Sequence, residues 1–111
     1  MNFVVVNYSL NQEYLVYKKA FSSQVKKALN KLDSFTIKHL DVNINLKSTN
    51  LTLKLYINTK ANFKYATTVN KILSKTREAI KLLINTEPEN IYLIFNKEMR
   101  KNAEKYRRIS N

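Results

Sequence analysis

Residues 40–58 read LDVNINLKSTNLTLKLYIN, and this stretch decides the fold. Leu40, Val42, Ile44 and Leu46 alternate with Asp41, Asn43, Asn45 and Lys47. After Ser48-Thr49-Asn50 the alternation resumes, with Leu51, Leu53, Leu55 and Ile57 set against Thr52, Lys54, Tyr56 and Asn58. Successive side chains of a strand point to opposite faces, so a period of two with one apolar set marks a half-buried strand. Two such strands joined by a short polar turn predict an antiparallel hairpin. Its polar face presents Asn43, Asn45, Thr52, Lys54 and Tyr56 to solvent or to a partner.

Before the hairpin the period is different. From about Lys19, the residues Phe21, Val25, Ala28, Leu29 and Leu32 fall on one face of a helix, with Lys26, Lys27 and Lys31 off it. Asp33-Ser34 ends that segment. Earlier still, Phe3-Val4-Val5-Val6-Asn7-Tyr8 is β-branched and aromatic, so it reads as a strand. Both of its alternation sets carry apolar residues, which suits a strand covered on both faces. Ser9 to Gln12 reads as a turn, and residues 13–17 fit either a short returning strand or a lead into the helix.

After the hairpin, Tyr65, Val69, Ile72, Leu73, Thr76, Ile80, Leu83 and Ile84 form the stripe of a helix over residues 63–84, with Asn62 as its N-cap. Thr86-Glu87-Pro88-Glu89 breaks it. Ile91 to Phe95 is a last strand, apolar on both faces. Residues 97–108 then predict a short basic helix with Met99, Ala103 and Tyr106 on one side. The order βαββαβ favours an α+β, split-βαβ sandwich: a mostly antiparallel sheet with two helices on one face. Residues 1–96 make one domain and residues 97–111 a basic C-terminal tail.

Composition excludes several chemistries. With no Cys there is no disulfide, thiolate metal site or thiol nucleophile. With no Gly there is no phosphate-cradling or dinucleotide-binding glycine loop. His39 is the one histidine, so a zinc site of the usual kind is not available, and neither cofactor nor metal is expected. A Ser-His-Asp arrangement through His39 lacks a nucleophile elbow; His39 reads as a strand-edge residue. Glu87 and Glu89 flank Pro88 and read as a solvated turn, and Asp41 as a polar strand position. No constellation for catalysis can be assembled, and no small-molecule substrate is expected. The N-terminal apolar run is short for a signal peptide, and no stretch reaches the length of a membrane span. A cytoplasmic location is the expectation, with any membrane association peripheral and made through a partner.

The net charge of +12 points to a polyanion or an acidic surface. It comes from sixteen Lys and four Arg in a chain with fifteen Asn, a balance that an AT-rich genome also produces unselected. Placement therefore matters more than the total. Lys97, Arg100, Lys101, Lys105, Arg107 and Arg108 concentrate three of the arginines, whose planar forks suit phosphate or carboxylate. On the sheet, Lys54, Tyr56 and Tyr92 are the contact candidates, by charge, stacking or anchoring.

The run LTLKLYINTKANFKYATTVNKILSKTREAIKLLINTEPENIYLIFN, residues 51–96, resembles the C-terminal half of the alkaline shock (Gls) envelope-stress family, and AFSSQVKKALNKL sits where its first helix falls. The resemblance covers residues 13–96; the first strand and the basic tail are additions to it. It implies a non-enzymatic scaffold or adaptor, a small subunit of a larger homo- or hetero-oligomeric assembly. A second resemblance, carried by the hairpin, the helix and PENIYLIFNKEMRKNAEKYRRI, is to the ribosome-binding factor A family. It implies a KH-like RNA-binding module used in ribosome assembly.

Overall fold

The structure, a computed structural model, describes residues 1–95 of the 111-residue chain. Its elements in order are β1 (Phe3–Ser9), β2 (Gln12–Tyr17), α1 (Lys18–Leu29), β3 (Phe35–Ile44), β4 (Leu51–Thr59), α2 (Tyr65–Ile84) and β5 (Asn90–Phe95). The fold is α+β, ββαββαβ, with two helices. Residues 13–17, open between strand and helix lead, belong to strand β2, and α1 follows it without a loop. The expected C-terminal helix lies outside the described residues.

The single, mostly antiparallel split-βαβ sheet is corrected to two sheets: β1-β2, and β3-β4-β5 with β4 in the centre. β3 and β4 pair antiparallel, while β4 and β5 pair parallel as direct neighbours, with no strand between them. The lengths explain the parallel pair. A helix of twenty residues spans about 30 Å at ~1.5 Å per residue. A strand of nine residues spans about the same at ~3.3 Å per residue. α2 therefore carries the chain back to where β4 began. β1 pairs β2 through the tight turn at Leu10-Asn11, and its other edge meets the β3-β4 turn, where Val5 N–H donates to the Ser48 carbonyl.

The core is built on β4. Leu51, Leu53, Leu55 and Ile57 are fully buried, each contributing roughly 1.5–3 kcal/mol by leaving water. They share one cluster with Phe21, Val25 and Leu29 of α1, Ile72, Ala79, Ile80 and Ile84 of α2, and Val4, Val6 and Val16 of the hairpin. Thr76 is buried among them, and its hydroxyl donates to the Ile72 carbonyl at 2.7 Å.

Strand β3 changes phase. Phe35 and Ile37 are odd-numbered, Leu40, Val42 and Ile44 even, yet all belong to the core or pack on it. A bulge reconciles them: Ile37 pairs Ile57 and His39 pairs Tyr56, so Lys38 is the extra residue. Leu46, expected in line with Ile44, is instead 90% exposed, because the strand ends at Ile44 and residues 45–50 form the turn. Asn45 leaves the polar sheet face for the same reason. Its amide donates to Thr49 Oγ1 at 2.9 Å and to Glu89 Oε1 at 2.7 Å, tying this turn to the one before β5. α2 starts at Tyr65, with Lys64 rather than Asn62 at the N-cap position and no side-chain cap. A turn closed by Phe63 N–H on the Lys60 carbonyl first sends Phe63 against Phe35 and Phe95, and the helix begins after it.

A chain with no Gly must place other residues where φ is positive. It uses Asn11, Ser34, Ser48 and Asn85, the last as the left-handed C-cap of α2. Ser48 combines φ 56° with burial, and its hydroxyl is buried without a partner. Ser48→Gly removes both penalties and is expected to stabilise the protein by about 1 kcal/mol in urea unfolding. Deleting Lys38 is expected to do the reverse. Without the bulge, Phe35 and Ile37 rotate to the solvent face, and the loss of two core side chains, about 4 kcal/mol, shows as a collapse of the unfolding midpoint.

Candidate interaction surfaces

The outward face of β3-β4-β5 follows from the register. Asn43, Thr52 and Asn90 lie across it in one row, Asp41, Lys54 and Tyr92 in the next, His39, Tyr56 and Ile94 in the third. Three predicted contact residues, Lys54, Tyr56 and Tyr92, are thus brought together on one face. Tyr92 is exposed, while Lys54 and Tyr56 are half-buried. The Tyr56 ring lies 5.6 Å from the His39 ring, and His39 Nε2 is 2.6 Å from Asp41 Oδ1. This His–carboxylate pair stands on an open strand face, with side chains 63% and 41% exposed. Two concavities of about 240 and 230 Å³ lie elsewhere, beside the end of α1 and between α1 and α2.

The hairpin of β1 and β2 offers a second surface. Its inward set, Val4, Val6 and Val16, is in the core. Its outward set consists of the registered pairs Phe3–Tyr17 and Val5–Leu15. Leu15 is 45% and Tyr17 55% exposed, and the Tyr17 ring meets the Phe3 ring edge-on at 5.6 Å. The apolar residues on both faces of the first strand predict two-sided cover. Among the described residues only one side has it.

Backbone and side-chain tethers hold the hairpin in place. Val5 N–H donates to the Ser48 carbonyl at 2.8 Å, and Lys18 N–H to the Asn2 carbonyl at 3.1 Å. Tyr14 Oη donates to the Leu83 carbonyl at 2.8 Å. That carbonyl belongs to the last turn of α2, where no intrahelical donor remains for it. The outward pairs are therefore presented on a fixed support rather than on a loose ribbon. The sequence alone does not single out Phe3, Val5, Leu15 or Tyr17; the signal for them is the doubly apolar pattern of β1, repeated at Leu15-Val16-Tyr17 in β2.

The basic residues Lys97, Arg100, Lys101, Lys105, Arg107 and Arg108 lie outside the described residues. Among the described residues no group of three or more His, Cys, Asp or Glu could hold a metal ion, and no helix is long and apolar enough to cross a membrane. No family model, curated protein or solved structure matches this chain.

The face assignment has a direct check. Leu15→Lys and Tyr17→Lys are expected to shift stability by no more than about 1 kcal/mol, as exposed positions do. Val16→Lys, between them but facing the core, buries an ammonium and should abolish the cooperative thermal transition. Equal losses at all three positions would mean that the outward face is part of the core.

Proposed function

We propose that this domain is a non-enzymatic protein-binding module, a small subunit or adaptor of a larger assembly. The observation that carries the reading is the outward face of the β1-β2 hairpin. Phe3, Val5, Leu15 and Tyr17 form adjoining cross-strand pairs, and Leu15 and Tyr17 are about half exposed. Single exposed apolar residues are ordinary; a tethered, contiguous apolar face is the kind of surface a partner covers.

The magnitudes say how it would be used. Covering four partly exposed side chains contributes roughly 1 kcal/mol each, about 4 kcal/mol in all. By itself that supports only a millimolar contact. A stable assembly needs a second surface, and the outward face of β3-β4-β5 supplies one of different chemistry. There Tyr56, Tyr92 and Ile94 provide anchors, and Asp41 and Lys54 are registered neighbours of opposite charge. The likeness in pattern to the alkaline shock family points the same way, towards an adaptor.

The test is capture of the tagged protein from its own cells, with and without nuclease, beside the variant pairs Leu15→Lys/Tyr17→Lys and Tyr56→Ala/Tyr92→Ala. Stoichiometric protein partners that survive nuclease and are lost from the hairpin variant support the reading. Partners lost with nuclease, or unchanged by both variants, sink it. Sedimentation of the purified chain then separates a second copy from a different protein.

A further inference from the structure

The excess of positive over negative charge among the described residues lies in one layer. Residues 18–31 and 65–84, the two helices with Asn30 and Lys31, hold nine basic residues and a single acid, Glu78. The strands and remaining loops up to residue 95 hold five of each sign. Codon bias alone spreads lysine without regard to the layer it lands in. Helix propensity does not explain the excess either, since Glu is as good a helix former as Lys. What the helices lack is acid.

Three of these basic residues, Lys27, Lys31 and Lys75, border a concavity. Between α1 and α2 runs a groove of about 230 Å³ lined by Gln24, Lys27, Lys31, Lys75, Glu78 and Leu82. Among the described residues no Lys or Arg lies within 4.0 Å of a carboxylate, so these three lysines are unpaired, and with Glu78 the lining carries a net +2. None of the residues bordering the groove is aromatic or arginine. Stacking on bases and bidentate reading of base edges are therefore missing from it. What remains is three lysines and one acid, beside the small or apolar Ala28, Ala79 and Leu82, along a cleft between two rods.

We infer that the α1-α2 groove is a docking surface for a nucleic-acid strand, held through its phosphates and not through its bases. A strand is favoured over an anionic bilayer because the lysines line a concavity, which a chain of phosphates can enter and a flat surface cannot. Contact with phosphates fixes position without reading sequence. The groove therefore takes strands of any base composition. The inference uses neither the hairpin face nor the basic tail, and it stands or falls apart from the protein-binding reading.

The experiment titrates the full chain against labelled single-stranded oligonucleotides, all-U and all-A, by fluorescence anisotropy over a series of KCl concentrations. It compares the groove triple Lys27→Gln/Lys31→Gln/Lys75→Gln with the control triple Lys38→Gln/Lys47→Gln/Lys60→Gln. Both lose the same charge, but the control lysines are exposed residues off the helical layer. The slope of log affinity on log salt should become shallower by about 2 for the groove triple, at ~0.7 per phosphate on a single strand. The control should move it by less than half as much, and U and A strands should bind alike. If the groove triple does not fold by circular dichroism, the pair Lys27→Gln/Lys31→Gln, both exposed, takes its place with about two-thirds of the effect. Equal losses from groove and control overturn the inference, because charge anywhere would then suffice. So does unchanged oligonucleotide binding. Groove-dependent binding of phosphatidylserine vesicles or an acidic peptide, with none of oligonucleotide, overturns it in favour of that partner.

Discussion

Strand β4 is hydrogen-bonded on both edges, and it buries Leu51, Leu53, Leu55 and Ile57 completely. Every other element is placed by that row. β3 pairs one edge and needs an extra residue at Lys38 to keep its own apolar set on the same side. β5 pairs the other edge, and α2 is long enough to return the chain to the start of β4. The helices cover the leucine side, so the opposite side of β4 is left with Thr52, Lys54, Tyr56 and Asn58. The candidate sheet surface thus follows from the core: whatever alternates with a fully buried leucine must face outward.

The second constraint is the absence of glycine. Tight connections in this chain are made by Asn and Ser in the left-handed region, where a short polar side chain is the least costly substitute. Asn85 closes α2 in this way. Ser48 lets the β3-β4 turn present its carbonyl to Val5, and that bond is one of the tethers that fix the hairpin. The strained residue and the exposed apolar face are therefore mechanically connected. The tether uses only the Ser48 backbone carbonyl, so the buried, unpartnered hydroxyl adds a cost at this turn without adding to the hold on β1.

Much of this architecture is legible in the order of the residues. The 40–58 hairpin, both amphipathic stripes and the shared face of Lys54 and Tyr56 follow from period alone, whereas Tyr92, in a strand apolar on both faces, joins them only through the β4-β5 register. The departures have local causes that a period does not encode. The phase change between Ile37 and Leu40 is visible in the residues, but only pairing with β4 shows that Lys38 absorbs it. Leu46 continues the alternation in sequence, yet the strand has already ended, because Asn45 commits its amide to Thr49 and Glu89. Tyr14 is silent in the sequence. Its role depends on a carbonyl 69 residues away, at the end of α2. The two-sided apolar pattern of β1 is a demand for cover on both faces. Where that cover comes from is a property of surfaces, and no one-chain periodicity carries it.

Charge and apolar area are separated on this molecule in a way that bears on how partners are told apart. The strands and loops of the described residues balance their charges, five of each sign, so that part of the domain adds no net charge of its own. Among the described residues a second copy is repelled less by that side than by the helical layer, which holds the excess lysines. A polyanion is drawn instead to the helices, where it finds no aromatic platform in the groove and hence no means of sequence selection. Salt weakens the second kind of contact steeply and the first hardly at all. The two kinds of surface can therefore be occupied together, and ionic strength acts on one without disturbing the other.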